Sequence, residues 1–265
     1  MSTKKLGLAM ALVAGLGMSG TAHANAVGPQ IIVQWGTPQS TPYSQTFNME
    51  QVSGNPTEYG YLLPAVQLLC DGSVVPATDS CPNGGDPLAR LDTLSVRADT
   101  DPFISFSIGV TDIGAPSVFG FVFGTPVGPV PAPGSVSNTI TVVLTDGSPT
   151  SGTSITPLPP GVPVDSDGVT ELSVLTLGFP LASAGVDVGT GAGTASDGPK
   201  AGPWVSGDYT WLQLNLTFGL PGGDDHADIT GTGTLDAARV VPEPTTLALL
   251  GLGLAGLGIS RRRAH

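Results

Sequence analysis

The segment from Asp208 to Phe218 reads DYTWLQLNLTF, and its residues sort by parity. Thr210, Leu212, Leu214, Leu216 and Phe218 fall on one side of an extended chain, while Tyr209, Trp211, Gln213, Asn215 and Thr217 fall on the other. A strand sends successive side chains to opposite faces, whereas a helix would repeat its apolar side every ~3.6 residues, so the pattern predicts a half-buried strand. Val136 to Thr145 behaves likewise, with Val136, Ile140, Val142 and Leu144 opposed to Ser137, Thr139, Thr141 and Thr145. From Phe103 to Val110 the inward set is Ile104, Phe106, Ile108 and Val110, with Ser105 and Ser107 outward. Further strands are expected over 30–35, 43–49, 59–63, 93–98, 118–123, 170–177 and 229–235.

Composition points the same way. The 265 residues include 38 Gly and 25 Pro, roughly a quarter of the chain and about twice average usage. That much punctuation excludes a helical bundle, and no central window shows an amphipathic helix. The expected fold is all-β, an antiparallel β-sandwich or jelly-roll-like domain with edges blunted by Pro and Asp. Two stretches read as interruptions: Thr125–Gly134 (TPVGPVPAPG) as an extended Pro-rich loop, and Gly185–Pro203 as a flexible Gly-rich excursion.

Both chain ends carry address labels. Lys4 and Lys5 precede an uncharged apolar run from Leu6 to Gly20, and Ala22-His23-Ala24 supplies the small-x-small site that signal peptidase cuts. Residues 1–24 therefore read as a signal peptide, with Ala22 and Ala24 marking cleavage and Ala24-Asn25-Ala26 offering a second register. At the other end, Val241-Pro242-Glu243-Pro244 is followed by TTLALLGLGLAGLGIS over 245–260 and then by Arg261, Arg262 and Arg263. The prolines forbid helix at the motif. The apolar run would extend only about 24 Å as a helix, short for a ~30 Å hydrocarbon core, which suits a temporary single transmembrane anchor. The arginines stay cytoplasmic and place the motif across the membrane from them.

This order of parts resembles the PEP-CTERM sorting signal of exosortase substrates, and Pro242, Glu243 and Pro244 match that motif residue by residue. The resemblance covers the sorting segment, 239–265, and leaves 25–238 as an exported β-domain of no recognised family. It implies a Gram-negative envelope, surface or matrix protein cut near the motif by exosortase, in a family commonly associated with exopolysaccharide and biofilm.

The exported part is strongly acidic. From Asn25 to Val241 there are four bases (Arg90, Arg97, Lys200 and Arg239) against 20 acids, a net charge of −16. Such a surface argues against nucleic acid as a partner and favours solubility. Cys70 and Cys81 are the only cysteines, they lie in the exported part, and the Asp71–Ser80 segment between them carries turn formers. An oxidising compartment makes a structural disulfide the expectation.

Chemistry is sparse. His226 is the only histidine outside the removable ends, in the polar stretch Gly222 to Asp228, where it reads as an exposed loop residue, and no G-x-S-x-G elbow accompanies it. No catalytic residue and no cofactor are expected. Calcium is the one ion the acids suggest: Asp224, Asp225 and Asp228 lie close together, and Asp165-Ser166-Asp167-Gly168 resembles the opening of a calcium loop but lacks a correctly spaced later ligand. The glycine runs 189–193 and 231–233 read as flexible loops rather than phosphate cradles, since no helix follows them. Trp35, Trp204 and Trp211 are the residues that could stack on a sugar. The reading is an exported, non-enzymatic surface or matrix protein linked to extracellular polysaccharide. A membrane-tethered binding module that keeps its tail, or a secreted hydrolase, are the alternatives.

Overall fold

The structure, a computed structural model, describes residues 29–38, 40, 42–100, 103–130, 134–148, 152–157, 174–176, 186–188, 191–204 and 209–237. The first six strands are β1 (Gln30–Gly36), β2 (Tyr43–Asn48), β3 (Glu50–Gln51), β4 (Glu58–Leu62), β5 (Gln67–Cys70) and β6 (Ser73–Pro76). A single 3-10 turn, Pro82–Gly84, leads into β7 (Ala89–Asp99), β8 (Phe103–Asp112), β9 (Ser117–Val130) and β10 (Gly134–Thr145). The remainder are β11 (Thr153–Pro157), β12 (Val174–Thr176), β13 (Val186–Val188), β14 (Ala192–Trp204), β15 (Tyr209–Leu220) and β16 (Asp225–Ala237).

Two sheets form. A seven-stranded sheet runs β13-β11-β15-β9-β1-β2, with β12 lying parallel to β15. A nine-stranded sheet runs β14-β10-β16-β8-β7-β4-β3, with β5 on β7 and β6 on β5. Every pairing other than β12 with β15 is antiparallel among the described residues. The expected all-β, antiparallel architecture is what the chain adopts.

The parity seen in the sequence is the parity of burial along β8; on β15 it holds less cleanly, since Gln213 of the polar side is buried and Leu216 of the apolar side only partly so. On β15 Leu212, Leu214 and Phe218 are buried, and on β8 Ile104, Phe106, Ile108 and Val110 are. These faces meet in one core, where Phe106 of the nine-stranded sheet stacks on Phe123 of the other with ring centroids 4.9 Å apart. Phe119, Phe121 and Phe218 pack beside them. Burying each such ring is worth about 1.5–3 kcal/mol in transfer from water. Gly231 on β16 makes room for this packing: a Cβ there would lie 2.6 Å from Cζ of Phe106 and 2.7 Å from the Thr139 carbonyl oxygen.

A second tie between the sheets involves the cystine. Cys70 and Cys81 form a disulfide, as expected, with Cα atoms 5.7 Å apart. The β5–β6 hairpin turns through Asp71-Gly72, with Gly72 at φ 78°. Trp35 of β1 is buried and donates its indole N–H to the Cys70 carbonyl at 2.7 Å, so the seven-stranded sheet is pinned to the cystine of the other.

Three expectations need correction. Thr125–Gly134 is largely strand rather than loop: β9 continues to Val130 and pairs with β15, and Gly134 opens β10. Residues 192–204 of the supposed Gly-rich excursion form β14, which pairs with β10 along its length; the register slips between Asn138 and Ile140, opposite the cis Gly198–Pro199 bond. Gly231-Thr232-Gly233 lies inside β16. In each case the main-chain ladder makes the strand, and small side chains leave no apolar parity to reveal it. Only Val174–Thr176 of the strand expected over 170–177 is described.

Candidate functional site

Three adjacent strands, β16, β8 and β7, bring a concentrated polar cluster to the outer face of the nine-stranded sheet. Register places His226 opposite Thr111 and Thr111 opposite Arg90. Asp92 is the extra residue of a β-bulge, where the β7–β8 register shifts between Leu91 and Thr93, and the bulge turns its carboxylate into this row. The Thr111 hydroxyl donates to Asp92 Oδ2 at 2.5 Å and lies 2.9 Å from His226 Nδ1. His226 Nδ1 is 3.3 Å from the same carboxylate oxygen, and Arg90 Nε donates to Asp92 Oδ1. On the far side of the ring, His226 Nε2 is 3.2 Å from Asp228 Oδ2. Gly109 floors the cluster, since a Cβ there would sit 2.6 Å from Thr93 Oγ1 and 3.1 Å from Asp228 Oδ1.

The electrostatics follow from these contacts. Burial alone would raise the Asp92 carboxyl, but hydrogen bonds from His226, Thr111 and Arg90, with the Arg90 charge, bring it down to about 2. The hydrogen bond to Asp92 raises the imidazole of His226 above its ordinary value; burial opposes this and Asp228 reinforces it. His226 therefore sits between two carboxylates that favour its protonated form, and Thr111, its hydroxyl neighbour, is buried. The arrangement links three adjacent strands through their side chains.

A second acid pair sits at the same end of the sheet, on the inner side. Asp112 and Asp225 are register partners on β8 and β16, and both are buried. Asp112 accepts hydrogen bonds from the Ser117 amide at 3.0 Å and the Ser117 hydroxyl at 2.9 Å. Burial, with Asp225 nearby, nevertheless pushes its carboxyl up to about 7. Asp225 Oδ1 accepts from the Gly147 amide at 3.1 Å, while its Oδ2 is buried without a hydrogen-bond partner.

The acids suggested by the sequence as a calcium group are thereby separated. Alternation along β16 turns Asp225 inward and Asp228 outward, and Asp224 stands exposed on the preceding turn at φ 65°. Among the described residues no three His, Cys, Asp or Glu side chains converge to hold a metal ion. His226 is likewise a half-buried strand residue instead of an exposed loop residue. Trp35, being buried, offers no face to a sugar. Asp165, Asp167, the side chains of Trp204 and Trp211, the cleavage residues Ala22 and Ala24, the motif residues Pro242, Glu243 and Pro244, and Arg261, Arg262 and Arg263 lie outside the described part. The two expected apolar spans also lie outside it; among the described residues no helix is long and apolar enough to cross a membrane. Arg90, Asp92 and Thr111 were not singled out by sequence, because the 134-residue separation of Asp92 and His226 closes only through strand register.

Fold and site together define a disulfide-tied, two-sheet antiparallel β-protein with a polar cluster spanning three strands. The particular relationship comes from the tail: residues 240–263 match the family model of the PEP-CTERM protein-sorting motif. That motif implies an exported protein, sorted by exosortase to the envelope or surface of a Gram-negative bacterium. A search of curated proteins found no match to the chain.

Proposed function

We propose that this protein is a non-enzymatic component of the cell surface or extracellular matrix, linked to exopolysaccharide, whose β-domain is delivered there by its C-terminal sorting signal. The observation that carries the reading is the sorting motif at 240–263, which follows the last described strand of the two-sheet fold in sequence. The placement of His226 between the carboxylates of Asp92 and Asp228 and the burial of Thr111 support a role without catalysis. Replacing Pro242, Glu243 and Pro244 with alanine should leave the domain folded but retain it in the membrane fraction. Terminal-peptide mass spectrometry on the native protein should find a start after Ala24 and an end near the motif. Persistence of 245–265 in surface material, or normal release of the alanine variant, overturns the sorting reading.

A further inference from the structure

The outer face of the nine-stranded sheet is a lattice of hydroxyl groups. One row crosses five adjacent strands in direct register: Ser196 of β14, Thr141 of β10, Thr230 of β16, Ser107 of β8 and Ser95 of β7. A second row, one pleat along, joins Thr139, Thr232 and Ser105. At about 4.8 Å between strands, the first row extends about 19 Å, with about 6.7 Å between rows. Hydroxyl pairs lock both rows, Thr141 to Ser196 at 3.0 Å and Thr139 to Thr232 at 2.8 Å. Thr230, Ser95 and Ser196 are exposed. The inward partners Ile140, Val142, Ile229 and Ile108 are buried in the core, so this face cannot exchange with the inner one.

We infer that this face binds a neutral, hydroxyl-rich polysaccharide lying flat across the strands; the inference rests on the surface-protein reading above and names its partner and contact face. Each Ser or Thr hydroxyl both donates and accepts, so the lattice complements another surface of hydroxyls. Threonine methyls between them suit the C–H faces of sugar rings. Charge decides among glycans: the five-hydroxyl row carries no charged side chain, the second runs on from Ser105 to Arg97, which is ion-paired with Glu58, and the exported segment holds 20 acids against four bases. A polyanion would be repelled by the molecule and meet only cations already paired with carboxylates, whereas a neutral chain meets neither penalty. Charged groups flank the five-hydroxyl row on either side: Arg97 paired with Glu58 and Lys200 with Asp197 on one, His226 with Asp92 and Asp228 on the other.

The test uses the processed protein isolated from its host and a triple variant, Thr141→Val, Thr230→Val and Thr232→Val, which keeps the shape and β-branching but removes three hydroxyls. A double variant on the opposite sheet, Ser44→Ala with Thr46→Val on β2, serves as control, and circular dichroism with thermal melting establishes that each is folded. Probes are particles of an insoluble neutral β-glucan, alginate as a polyanion, and ice. The expected result is retention on the glucan, weakened about tenfold or more in the triple variant and unchanged in the control. Equal retention of the triple variant overturns the assignment of this face while leaving the polysaccharide link in place. Binding to alginate alone, to ice alone, or a dimer by sedimentation that the same substitutions dissolve, also overturns it. No retention on any glycan defeats both the inference and the polysaccharide link, and leaves the sorting reading to its own mass-spectrometric test.

Discussion

The buried pair Asp112 and Asp225 predicts a protein most stable under mildly acidic conditions. Asp112 titrates at about 7 in the folded protein against an ordinary 3.8. At ~1.4 kcal/mol for each tenfold change in proton affinity, that difference amounts to about 4 kcal/mol. Its sign is unfavourable to the fold at high pH. Below about pH 4 both states hold the proton; from there to about 7 the unfolded chain releases it while the folded protein keeps it, so stability falls as pH rises. His226, raised above its ordinary value, adds a loss of the same sign: its contribution is complete below about 6.5 and disappears as pH climbs through its folded value. Asp92 works at the other end, its benefit present above 3.8 and lost as pH falls toward about 2. Urea unfolding between pH 3 and 9 should therefore give a maximum at about pH 4. Asp112→Asn replaces one carboxylate of the pair by an amide that can donate beside Asp225. It should flatten the curve between pH 4 and 7 and leave the variant more stable than the wild type at pH 8, by up to about 4 kcal/mol. His226→Gln should remove the remaining slope above pH 6.5. A wild-type protein as stable at pH 8 as at pH 5, or an Asp112→Asn variant with the wild-type slope, would refute the argument.

Two further changes test the frame around these sites. Cys70→Ser should cost about 3 kcal/mol by the loop-closure argument for the 11-residue separation, read as a lower urea midpoint than the oxidised wild type and insensitive to added reductant. Gly231→Ala drives a Cβ into Phe106 and the Thr139 carbonyl, so it should cost about 1–3 kcal/mol by overpacking and lower the melting temperature, although alanine is the better residue for an ordinary extended chain.

How far the sequence could be read depended on what each side chain reveals. β15 and β8 were legible because large apolar residues alternate with polar ones, and that alternation is the same physical fact as the two faces of the sheet. β14 was not, since Ala192 to Trp204 is mostly small residues and its strand character lies in main-chain hydrogen bonds to β10. The half-cystines were legible because spacing and compartment suffice. The Asp92–His226 clamp and the row from Ser196 to Ser95 were not, because each is assembled by register among strands distant in sequence. Outward threonines at 139 and 141 were visible one strand at a time; that they abut Thr232 and Thr230 is a fact of pairing.

The position of β16 sets a schedule for the whole molecule. It is the last described strand in the chain, yet it lies between β10 and β8, so the nine-stranded sheet stays in two pieces until residues 225–237 arrive. A chain threaded N-terminus first through a membrane delivers that strand at the end of its passage, three residues ahead of position 240, where the sorting motif begins. Closure of the sheet and arrival of the address label are thus nearly simultaneous. A molecule truncated in transit lacks the keystone strand as well as the label, and its open β8 and β10 edges expose it to the quality-control proteases of the compartment it has entered.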